Sequence, residues 1–123
     1  MLVIIAHILT ALVALEHLYI LWIEMFAWET AGKKTFKTVP ENMFKPTKVF
    51  AANQGLYNGF LAAGLIWSFF ISDPTWTTNI RLFFLGCIIV AGIYGAVSVT
   101  RKIFFIQALP ATITFIFVLL VSF

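Results

Sequence analysis

Four apolar runs, at roughly 2–28, 49–72, 80–100 and 103–123, leave this chain few ways to fold. About 20 apolar residues cross the hydrocarbon core of a bilayer as a helix, and each run is long enough to do so. Many of their Val, Ile and Phe residues would favour strands in water. In lipid every backbone group must bond internally, so the runs become helices unless a barrel closes, and four runs cannot close one. Only 11% of the 123 residues are charged and 62% are hydrophobic, against about 25% charged in an ordinary globular chain. No room is left for a soluble domain. The expected fold is a single all-α domain over residues 1–123, an antiparallel four-helix transmembrane bundle. The first run lacks a basic n-region and outlasts the about 7–15 apolar residues of a signal peptide, so it reads as a retained helix.

The connections decide orientation. The first, at about 29–48, carries Lys33, Lys34, Lys37, Lys45 and Lys48, and the third is Arg101–Lys102; together they hold seven of the eight Lys and Arg residues. Basic loops stay in the cytoplasm, so both termini and the short turn at 73–79 around Pro74 are expected outside, an N-out/C-out topology. Trp22 and Trp28 would then mark the inner interface, and Trp67 and Trp76 the outer one. The net charge of +3 therefore bears on membrane orientation and gives no footprint for nucleic acid. Phe36, Val39, Met43 and Phe44 punctuate the lysines of the long connection, which fits a segment lying on anionic headgroups or a plain linker. Cys87 is alone, cannot form an internal disulfide and reads as packing.

Polar residues inside the apolar runs are costly and call for a reason. In the first run, which contains LEHLYILWIEMF (Leu15–Phe26), Thr10, His17 and Glu24 recur every seven residues and share one helix stripe, with Glu16 on a neighbouring face. A charged acid at the centre of a membrane helix costs about 2.5–3.5 kcal/mol. With no Lys or Arg at its depth, Glu16 must be protonated, hydrogen-bonded across the bundle or wetted by a cavity. On the second helix Asn53 and Tyr57, and likewise Gln54 and Asn58, are four apart and stacked. Gly55 and Gly59 form a GxxxG within a small-residue ridge that lets another helix come close. On the third helix Gly92 and Gly95 offer a second small surface beside Tyr94. On the fourth, Gln107 lies three residues before Pro110, which removes a backbone bond and kinks the helix. With the orientation above, Glu24 and Asn53 fall at similar depth, Glu16, His17 and Asn58 deeper, and Tyr94 and Gln107 in the same cytoplasmic half. Polar residues from four helices thus converge on one half of the bilayer, while the other half is aliphatic and aromatic apart from His7 and Thr10.

EHLYILWIEMFAW (Glu16–Trp28) and ANQGLYNGFLAAGLIW (Ala52–Trp67) resemble the two hallmark segments of a small bacterial membrane family, domain-of-unknown-function family 1304. GIYGAVS (Gly92–Ser98) and FFIQALPA (Phe104–Ala111) resemble its later segments. The resemblance covers nearly the whole chain. It implies a four-helix integral membrane protein with no assigned activity, and it hands down no catalytic residue.

The expected function is a binding or proton-coupled permeation module with a polar pocket open to the cytoplasm. Glu16 and His17 would form its floor, Asn53, Gln54, Tyr57 and Asn58 would orient the ligand, Glu24 would sit near the mouth, and Gln107 and Tyr94 would lie opposite. The partners would be the lipid bilayer of the cell membrane and a small polar or amphipathic ligand. A transport path would need a homo-oligomer, because four helices leave little room for one. A rival reading is an intramembrane acid–base enzyme on an amphipathic substrate, with Glu16 and His17 shuttling a proton. Another is a structural protein whose polar residues join helices. No metal motif such as HExxH occurs, a haem could gain a second histidine from another helix only in a dimer, and no cofactor is indicated.

Overall fold

The computed structural model describes residues 1–122. Five α-helices and no strand occur among them: α1 (Leu2–Phe26), α2 (Ala31–Thr35), α3 (Lys48–Trp67), α4 (Pro74–Ser98) and α5 (Leu109–Ser122). Short 3-10 turns occupy Glu41–Met43 and Ser68–Phe70, and a π turn, Phe104–Ala108, leads into α5. The expected end of the last helix at 123 lies outside the described residues.

Among the described residues three helices are long and apolar enough to cross a membrane: Leu2–Phe26, Pro74–Ser98 and the continuous segment Phe104–Ser122. This falls one short of the four spans expected. The 20 residues of α3 are long enough, but Lys48, Asn53, Gln54 and Asn58 dilute its apolar character. Large apolar side chains cover much of the outer surface, among them Ile4, Leu15, Phe60, Phe83, Val90 and Ile116. Such a surface would sit in a bilayer.

Local chemistry moves several boundaries. The second connection is shorter than expected, because α4 starts at Pro74 and not near residue 80. The Asp73 side chain accepts the Trp76 backbone N–H at 2.9 Å, and proline at the first helical position needs no N–H partner. Pro74 therefore starts a helix where it was expected to shape a turn. At the other end of the chain Pro110 cannot donate to the carbonyl four residues back. The backbone bonds one residue further instead, with the Leu109 N–H reaching the Phe104 carbonyl. The expected kink takes the form of this π turn.

Glycines set the helix pairing. A Cβ at Gly55 would lie 2.9 Å from Glu24 Cβ and 2.8 Å from Met25 Cγ, and one at Gly59 would strike Leu21. Residue number rises along α3 as it falls along α1, so the two run antiparallel in close contact. A Cβ at Gly92 would lie 2.7 Å from the Ala108 nitrogen, and one at Gly95 would lie 2.9 Å from Ile103 Cγ2. This brings α4 onto the π turn. Helix α1 also packs on α5, and α3 on α4. Ala6, Val13, Leu65, Leu85, Ile88, Ala111 and Val118 fill the centre of the half nearest the termini.

The connection between α1 and α3 is folded against the helix end. The Trp28 indole packs on Phe36 at 5.3 Å and on the buried Phe44 at 4.9 Å between ring centroids. Its Nε1–H donates to Thr47 Oγ1 at 3.1 Å. Gly32 lets α2 close over the ring, since a Cβ there would lie 3.0 Å from Trp28 Cε3. Trp28, expected as an interface marker, is thus the anchor of a small aromatic cluster. The surface ion pairs Lys33–Glu41 (3.8 Å) and Lys48–Glu29 (3.5 Å) each contribute at most about 1 kcal/mol.

Candidate functional site

Residues Glu16, Tyr19, Ile20, Ile23 and Glu24 recur at i, i+3, i+4, i+7 and i+8, so α1 turns them to one side. In front of them lies a hollow of about 340 Å³, closed by Gln54 and Asn58 of α3, by Ile103, Ile106 and Gln107 around the π turn, and by Thr35 and Phe36. Each contribution has a local cause. Gln54 and Asn58 are one helical turn apart and present together. The π turn carries Gln107, and π-bulges inside helices are frequent at functional sites. Thr35 and Phe36 arrive because Trp28 holds Phe36 in place.

Inside the hollow one hydrogen bond joins the two helices. Asn58 Nδ2–H donates to Glu24 Oε1 at 2.6 Å. Glu24 is 4% exposed and Asn58 is buried. Such inter-helix bonds contribute on the order of 0.6 kcal/mol in membrane proteins, up to about 1.7. Glu16 and Glu24 are eight residues apart, roughly 12 Å along the axis, so the hollow is elongated along α1 with a carboxyl towards each end. No Lys or Arg lines it.

Five of the nine residues expected around a pocket line this hollow: Glu16, Glu24, Gln54, Asn58 and Gln107. The other four do not. Tyr57 is 59% exposed and stacks edge-on against Phe60, and Tyr94 is 74% exposed on the outer face of α4. Asn53 is exposed as well. Helix phase explains Asn53 and Tyr57, because each precedes a lining residue by one position and so points about 100° away from it. His17 is fully buried on the stripe it shares with Thr10 and Glu24. Its Nδ1–H donates to the Val13 carbonyl at 2.9 Å, and Nε2 has no partner. The floor expected from Glu16 and His17 together therefore has Glu16 alone. The expected depths also shift. Glu24 meets Asn58, not Asn53, because Gly55 draws α3 against the last turn of α1.

Three residues escaped the sequence, two that line the hollow and one that is buried away from it. Thr35 and Phe36 come from a connection whose course depends on Trp28. Arg81 is 3% exposed in α4, with Nε–H donating to Ser68 Oγ at 2.9 Å and its guanidinium 4.6 Å from the Phe69 ring centre. The Asp73 cap before Pro74 was the signal, since a helix that starts at Pro74 moves Arg81 from a helix end to the third turn. No group of three or more His, Cys, Asp or Glu side chains that could hold a metal occurs among the described residues.

Residues 11–119 match the family described as "Protein of unknown function (DUF1304)". The chain belongs to this family. It is also 36% identical over 104 residues to YpaA of Lactococcus lactis subsp. lactis (strain IL1403), an uncharacterised protein, a match that spans 81% of this chain and 84% of that one. No solved structure matches. The family region takes in every residue that lines the hollow. Neither description assigns an activity, so chemistry must come from the side chains themselves.

Proposed function

We propose that this member of the family is a four-span module of the cell membrane that binds a small amphipathic molecule in the hollow, with the hollow open to the cytoplasm and both termini outside. One observation carries the reading: two carboxyls and three amides from α1, α3 and the π turn surround a single space otherwise walled by Tyr19, Thr35, Phe36 and isoleucines. A site with apolar walls and a few convergent polar groups is the usual form of a small-molecule pocket. As the fourth span, α3 turns Asn58 inward and presents Val49, Phe50, Leu56, Phe60 and Ile66 outward. The orientation rests on the basic residues at 33–48 and 101–102, which lie at the end of the molecule where Thr35, Phe36 and Ile103 border the hollow. An acid–base enzyme has less support, because His17 is sealed away from Glu16's side of the helix. A solely structural role accounts for the Glu24–Asn58 bond but gives Glu16, Gln54 and Gln107 no partner.

The test is side-specific labelling. In a Cys87→Ser background, Gln107→Cys is exposed to a membrane-impermeant maleimide in inside-out and right-side-out vesicles. Labelling from the cytoplasmic face alone is expected. Protection from both faces, or labelling only from the outside, would contradict the reading.

A further inference from the structure

Glu16 also borders a second hollow. This one, of about 370 Å³, lies between α1 and α5 and is walled chiefly by Leu9, Leu12, Val13, Leu109, Pro110 and Ile113. Its character is apolar, and its walls belong to lipid-exposed faces: Leu12, Leu109 and Ile113 are all exposed large hydrophobics. Glu16 thus stands where a polar chamber meets an apolar groove. The polar chamber has no cation of its own. Lys33 pairs with Glu41, Lys48 with Glu29, and Arg81 with Ser68. Among the described residues neither oxygen of Glu16 has a hydrogen-bond partner, and Glu24, more than nine-tenths buried, uses only Oε1. Glu24 Oε2 remains free to accept from an occupant, as do the carbonyl oxygens of Gln54 and Gln107. The chamber therefore offers carboxyl and amide acceptors beside the amide N–H donors of Gln54 and Gln107, and no cationic side chain that would pair with an anionic head.

From this head-and-tail geometry we infer that the ligand is a single-chain amphipathic cation. Its ammonium group binds between Glu16 and Glu24, and its alkyl tail leaves past Glu16 along the groove between α1 and α5. The inference rests on the proposed function and names the ligand class of that same site. A charge-assisted hydrogen bond to a buried carboxylate contributes about 1.5–3 kcal/mol, which is roughly tenfold or more in affinity. The groove opens sideways, so the tail can enter from the bilayer without passing through water.

The experiment uses the full chain in nanodiscs of zwitterionic lipid and compares decylammonium, decanol and decanoate by equilibrium dialysis against empty nanodiscs. Saturable one-site binding of decylammonium is expected, with decanol and decanoate roughly tenfold or more weaker. Glu16→Gln should erase that preference. Glu24→Gln, which keeps an acceptor for Asn58, should weaken decylammonium while the protein stays folded by circular dichroism. Should Glu16→Gln fail to fold, Ile113→Trp fills the groove instead and should reduce decylammonium binding with both carboxyls in place. Equal binding of the three compounds, a preference for decanoate, no binding, or decylammonium binding that both Glu24→Gln and Ile113→Trp leave unchanged would overturn the inference. The Gln107→Cys labelling separates the two failures. A chamber that labels from the cytoplasm but does not prefer decylammonium sinks the ligand class alone, while a chamber that never labels sinks the binding reading with it.

Discussion

The half of the molecule beside the lysine-rich connection and the half that holds the termini are made from the same four long helices, yet they are filled in opposite ways. In the terminal half Ala6, Val13, Leu65, Leu85, Ile88, Ala111 and Val118 form one buried apolar cluster. In the other half the helices stand around a space of about 340 Å³ with two carboxyls on its wall. Glycines bring α3 close to α1 at Gly55 and Gly59, and α4 close to the π turn at Gly92 and Gly95. The close contacts lie beside the hollow, so the space persists next to tight helix pairs. What differs is the facing residues: amides and acids leave room and demand partners, while branched apolar side chains interdigitate. A bundle that needed only stability could have closed both halves.

The contrast sets an order of expected effects on unfolding in detergent, measured by titration with sodium dodecyl sulfate. Leu85→Ala removes a fully buried side chain from the filled half and should cost about 2–5 kcal/mol. Gly55→Leu should cost about 1–3 kcal/mol by overpacking the α1–α3 contact, because the first added carbon already meets Glu24 Cβ at 2.9 Å. Asn58→Ala breaks the one side-chain bond across the hollow and should cost about 0.6–1.7 kcal/mol. Gln54→Ala, with no bond of its own to lose, should stay within about 0.5 kcal/mol. A Gln54→Ala loss as large as that of Leu85→Ala would mean that both halves are packed alike. A neutral Leu85→Ala would erase the contrast from the other side.

Much of the fold is legible in the sequence because the bilayer permits so little else. Periodicity alone places Thr10, His17 and Glu24 on one stripe, and all three are buried. Composition alone marks Gly55, Gly59, Gly92 and Gly95 as places where helices come close. The hollow is harder to read. Depth counted from helix ends pairs Glu24 with Asn53, whereas the close approach at Gly55 sets a different register and pairs it with Asn58. That offset of five residues is roughly 7.5 Å along the axis, and only helix-to-helix contact fixes it. Tyr57 and Tyr94 look like pocket residues on polarity, but each has an aromatic body suited to an outer face and a hydroxyl that can reach the headgroup region. Thr35 and Phe36 were invisible because a connection's path follows from its packing on Trp28, and Arg81 because its burial depends on where the Asp73 cap starts α4.

The central claim is that one half of the bundle holds water or ligand around Glu16, Glu24, Gln54, Asn58 and Gln107 while the other is dry. Water-edited magic-angle-spinning NMR of the wild-type protein in lipid bilayers measures this directly, residue by residue. Rapid transfer of water magnetisation is expected to the side chains of Glu24, Gln54, Asn58 and Gln107, and slow transfer to Leu85, Ile88 and Val118. Equally slow transfer to both groups would mean a solid interior and would contradict the account.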